Sequence, residues 1–187
     1  MVCLNLPPEL RYKLENMLLV AIVPGPKAPS LTQLNHFLRP LMTQLRTFFH
    51  RGYFFSWTPS REQGRLSRGA FIPLVADLHA IRQVGAFGSY SSRHFCTFCG
   101  LFVQDIEEIN PDYWPRLRTC AQHRQYATEW LNAESQDKRN HLFELNGIRW
   151  SELLTLDYWD PCAFTLYDVM HGWYLNVADD YVRDILG

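Results

Sequence analysis

Apolar residues in this chain come in strand-length runs, each halted by proline or by an acid. Residues 2–6 run into Pro7-Pro8. Residues 17–23, the longest uninterrupted run, end at Pro24-Gly25-Pro26, which continues neither a strand nor a helix. Residues 71–76 end on Asp77. Runs of this length fit buried strands and are far too short to span a bilayer. Between the second and third, Ser30 precedes a helical repeat formed by Leu31, Leu34, Leu38, Leu41, Met42, Leu45 and Phe48-Phe49. Pro40 falls inside that repeat and predicts a kink or a split. A short aromatic strand is expected over residues 53–57 and a polar, basic loop over 61–69. From about Asp105 the pattern turns helical and acidic. Strand, helix and strand in this order predict an α/β fold.

With 187 residues, 47% of them hydrophobic, the chain can bury a core of one domain, or of one domain with an insertion. Five cysteines at irregular spacing argue against a secreted disulfide framework. Without a basic n-region at the start, no signal peptide is expected. The reading is an intracellular protein with no membrane partner. A net charge of −1 hides an uneven distribution. Residues 1–100 hold eleven Lys or Arg against four Asp or Glu, whereas residues 101–187 hold seven against fifteen. Between Lys27 and Arg68 the one acid is Glu62. Lys27, Arg61, Arg65 and Arg68 are therefore candidates for phosphate contacts, the other reading being a solvated face.

Two features point to metal chemistry. A carboxylate at a strand end, Asp77, is placed to hold a divalent ion, although it also suits the N-cap of a helix starting at Leu78. One acid is not a two-metal site, which needs several oxygen ligands. Cys96-Thr97-Phe98-Cys99 has the spacing by which two thiolates share one zinc ion, or the two are buried free thiols. The other half of such a site has two sources. Cys120 and His123 would complete a C-x2-C-x20-C-x2-H set, while Asp168 and His171 offer a second pair of donors. A thioredoxin-like role fits poorly, because His94-Phe95 does not resemble a strand-to-helix redox turn. No glycine-rich phosphate loop is present, and Cys162 sits in a turn-like Asp160-Pro161-Cys162 rather than in a nucleophile motif.

Five segments in fixed order resemble the catalytic region of CACTA-type (En/Spm) DNA transposases. They are "NLPPELRYKLENMLLVAIVPGPKAPSL", "LVADLHA", "HFCTFC", "NGIRWSELLTLDYWDP" and "LYDVMHGWYLNVADDYVRDILG". The resemblance implies a ribonuclease H-like fold with an acidic, Mg-binding triad that cuts and joins transposon ends. Asp77 then matches the second catalytic acid and would be a Mg ligand. Cys96 and Cys99 match the family's CxxC, and Asp168 and His171 match its D-x-M-H signature, with His171 as the first choice of zinc partner and Cys120 with His123 as the alternative. The implied architecture is an incomplete ribonuclease H-like core, a truncated mixed sheet plus helices over residues 1–95, followed over 96–187 by a CxxC-containing helical insertion with a zinc site and by the start of the C-terminal helical part. The sheet would contain residues 2–6, 17–23 and 71–76. In the family the first acid lies upstream of the segment that Met1 opens and the last Glu lies beyond Gly187. The expectation is thus a transposase fragment that does not cut DNA by itself, acting on DNA in the nucleus, with homo-oligomerisation open. The alternative is a non-catalytic, zinc-stabilised module that binds nucleic acid or protein. Asp179, Asp180 and Asp184 receive no role.

Overall fold

Helix α2 (Leu31–His50) begins where the sequence places it. The Ser30 side chain accepts the Gln33 amide, and the Gln33 side chain returns to the Ser30 amide. The computed structural model describes residues 1–186. Its other helices are α1 (Pro8–Arg11), α3 (Leu78–Val84), α4 (Cys120–Leu131) and α5 (Gln136–Asn146). Four short strands accompany them: β1 (Tyr53–Phe55), β2 (Arg65–Ser67), β3 (Leu74–Ala76) and β4 (Thr165–Tyr167). The mixed α/β character expected from the sequence is present. After β4 the chain continues as two wide, π-type helical segments, Met170–Ala178 and Tyr181–Leu186.

Pro40 neither splits nor ends α2, which runs through it. Proline costs the helix one backbone bond, but Leu38, Leu41, Met42 and Leu45 on both sides of it pack into one apolar cluster and hold the two halves in line. The basic loop expected over residues 61–69 contains β2, which pairs antiparallel with β1, Phe54 facing Leu66.

The expected three-strand sheet does not form. Residues 2–6 and 17–23 meet in a single bridge, Val2 to Met17. The Leu4 and Leu6 carbonyls accept from the Arg11 guanidinium instead of from a neighbouring strand. Leu18, Leu19 and Ile22 stay exposed. Of the run at residues 71–76, β3 comprises Leu74–Ala76, and it pairs parallel with β4, Leu74 opposite Thr165 and Ala76 opposite Tyr167. The sheet partner of β3 thus lies in the acidic second half, some ninety residues away along the chain. Such a pairing needs a long crossover, which α3, α4 and α5 supply.

The core gathers the apolar residues of "NGIRWSELLTLDYWDP". Leu153, Leu156 and Trp159 bury against Met42 of α2, with Leu74 and Phe164 packed on them. Leu154 and Ile148 join Phe87 and Ala127 in a second cluster. The short turn Glu152–Thr155 is fixed by polar clamps as well. Asn35 donates to the Trp150 carbonyl and accepts the Glu152 amide. Arg124 donates to the Leu154, Leu156 and Trp159 carbonyls. The first cluster draws on both sides of the boundary at residues 95 and 96.

Candidate metal sites and a basic ribbon

Asp77 leaves β3 and immediately caps α3, its side chain accepting the Ala80 amide at 2.8 Å. The strand-end position and the capping role therefore coexist in one residue. Asp168 follows β4 in the same way, and its amide donates to the Ala76 carbonyl at 2.9 Å. Both acids consequently stand at the carboxyl end of the parallel pair. The Asp168 carboxylate accepts the Met170 amide and lies 2.6 Å from His171 Nδ1. The hydrogen bond from His171, followed by that from the Met170 amide, holds Asp168 below its ordinary carboxylate range. His171 stands in the first π-type helical segment, about half exposed.

The thiols of Cys96 and Cys99 approach to 3.3 Å, and the Cys99 amide points at the Cys96 sulfur, also at 3.3 Å. A tetrahedral zinc about 2.3 Å from each sulfur sets two thiolates roughly 3.8 Å apart, so this turn fits half of a zinc site with little adjustment. Burial, opposed in part by the Leu101 amide, pushes the Cys99 thiol up. Two arginines hold the turn. Arg82 of α3, itself buried, donates to the Phe95 carbonyl at 2.9 Å. Arg118 Nε donates to the Cys96 and Cys99 carbonyls. Desolvation lowers the pKa of both guanidiniums. Asp77 caps the helix that carries Arg82, so α3 links the strand end to the cysteine turn.

The start of α4 lies beside this turn. Cys99 bridges to Leu117, and the Arg118 amide donates to the Phe98 carbonyl. Cys120 is the first residue of α4, and His123 lies one turn on. His123 is 2% exposed, and neither ring nitrogen has a hydrogen-bond partner among the described residues. Desolvation, followed by the nearby Arg118 and Arg124 charges, lowers its pKa to about 3. A neutral imidazole with a free nitrogen is the form that binds zinc. With Gly100 and Arg118 it lines a cavity of about 190 Å³. Among the described residues, no three His, Cys, Asp or Glu side chains converge closely enough to hold one ion.

The basic candidates are divided between two places. Lys27 is exposed in the turn before α2. Arg61 is exposed in the link between β1 and β2, Arg65 opens β2, and Arg68 follows it. Asp179, Asp180 and Asp184 all pair with Arg183. Sequence reasoning missed Arg82 and Arg118, because an arginine that clamps carbonyls has no spacing signature. It also missed that β4 delivers Asp168 to the same edge as Asp77.

No family model matches the chain, and no curated protein matches it. No helix among the described residues is long and apolar enough to cross a membrane.

Proposed function

We propose that this chain is part of the catalytic region of a CACTA-type DNA transposase, with Asp77 as one carboxylate ligand of a Mg ion. The observation behind this reading is the parallel pairing of β3 with β4, which sets Asp77 and Asp168 at the same end of one sheet. Carboxylates at a common strand end are a means of gathering divalent ions for phosphoryl transfer. Asp77 uses one oxygen for the cap, which leaves the other oxygen for a metal. A ribonuclease H-like core, transposon-end DNA as partner and a nuclear site of action belong to the same proposal. Zinc is assigned a structural role: Cys96 and Cys99 supply two ligands, and Cys120 and His123 in the first turn of α4, which follows the bridge from Cys99 to Leu117, are proposed as the source of the others.

Manganese, a paramagnetic substitute for Mg, tests the catalytic reading. Titrated into the whole chain, it should selectively broaden the amide resonances that flank Asp77 and Asp168, and Asp77→Asn should abolish the effect. Broadening elsewhere alone, or unchanged broadening in the Asn variant, refutes Asp77 as a metal ligand.

A second reading, a zinc-stabilised module that binds nucleic acid without catalysis, draws on the held cysteine turn and the exposed arginines. It predicts zinc content and salt-sensitive DNA binding without selective manganese broadening.

A further inference from the structure

The β1–β2 ribbon presents aromatic rings and unpaired cations together. Strand geometry puts Phe54 and its neighbour Leu66 on one face, with Tyr53, Phe55 and Arg65 on the other. Tyr53 stacks on Phe48 of α2, ring centroids 5.7 Å apart, which leans the ribbon on the helix. Phe54, Phe55 and Trp57 are left 65%, 52% and 62% exposed. Single exposed rings are ordinary; here three fall within four residues, with Phe54 on one face of the ribbon and Phe55 on the other, so both faces offer an open ring. Arg51, Arg61, Arg65 and Arg68 surround them, all exposed, and none forms an ion pair among the described residues. Glu62 is the one acid in the segment.

Unpaired arginines suit phosphates, and open rings suit the faces of bases. In a duplex those faces are covered by the neighbouring base pairs, so rings can stack on them only where the strand is unpaired. We propose that this ribbon binds single-stranded DNA, with Phe54, Phe55 and Trp57 stacking on unpaired bases and Arg61, Arg65 and Arg68 neutralising the backbone. The inference rests on the nucleic-acid reading above and adds the strandedness of the partner and the residues that read it.

The test compares a labelled oligothymidylate with a duplex of equal length, by fluorescence anisotropy on the whole chain. The single strand should bind more tightly. Phe54→Leu and Trp57→Leu should each lower its affinity by about fivefold or more while leaving duplex binding unchanged. Equal affinity for both forms, insensitive to these substitutions, overturns stacking and leaves the electrostatic reading standing. Absence of binding to either form overturns both. Ring-dependent preference for oligouridylate assigns the ribbon to RNA and overturns the DNA assignment. Photocrosslinking of a bromodeoxyuridine-substituted strand to the unaltered chain makes the test independent of how the variants fold. Adducts are expected between Tyr53 and Trp57, and adducts confined to other segments refute the proposal.

Discussion

Ala76 and Tyr167 face each other as the last residues of two parallel strands, and an acid follows each of them. The bond from the Asp168 amide to the Ala76 carbonyl fixes this alignment. Slipping β4 by one residue would turn its side chains to the opposite face and remove the match between Asp77 and Asp168.

The capping role of Asp77 and the metal-binding role proposed for it should separate by substitution. Asp77→Ala removes the cap of α3 and should lower stability by about 1 kcal/mol in urea unfolding. Asp77→Asn keeps a capping oxygen and should restore most of that loss, while the metal binding proposed for the strand end should disappear. Equal stability of the Ala variant and the parent would mean that the cap bond contributes nothing.

Zinc content should be close to stoichiometric in protein purified under reducing conditions, and Cys96→Ser should deplete it. His123→Ala should lower the zinc content, and His171→Ala should leave it unchanged. The opposite result would return the site to His171. Less than about half an equivalent of metal, with thermal stability indifferent to a chelator, would make Cys96 and Cys99 ordinary core thiols.

Without a bound metal, His123 should link stability to pH. Its pKa in the fold, about 3, lies below the unfolded value of about 6.5. Between those two values the unfolded chain binds the extra proton, so stability falls as pH drops, at up to about 1.4 kcal/mol per pH unit. Urea midpoints measured from neutral pH downward should show this slope, and His123→Asn should flatten it. An unchanged slope in the variant would transfer the acid sensitivity to other groups.

Duplex binding at Arg61, Arg65 and Arg68 should weaken steeply with salt. Replacing all three by Ala should reduce the slope of log affinity against log salt by roughly 2 to 3, given about 0.9 per phosphate contact. An unaltered slope would identify these arginines as a solvated face.

Leu156, fully buried between α2 and Trp159, tests how far the fold depends on the cluster beside the turn Glu152–Thr155. Leu156→Ala should cost about 2–5 kcal/mol. A loss below 1 kcal/mol would show that the two halves of the chain do not depend on that cluster.

Local chemistry was legible in the sequence. Ser30 and Gln33 make their box, Asp77 caps its helix, and Cys96 and Cys99 close a tight turn, because each of these arrangements is complete within four residues. The mixed α/β character was expected from three apolar runs, of which only residues 74–76 lie in a strand. Only the tertiary structure decided which strands pair. Residues 17–23 are as apolar as any strand, yet they stay exposed, while β4 emerges from the acidic half and pairs with β3. Apolar period states that a segment suits a sheet but does not name its neighbour. Pairing depends on chain closure over many residues and on the packing of Trp159 and Leu156 against α2, and neither leaves a mark at the strand itself. The same holds for Arg82, Arg118 and Arg124, whose carbonyl partners are set by the approach of distant segments.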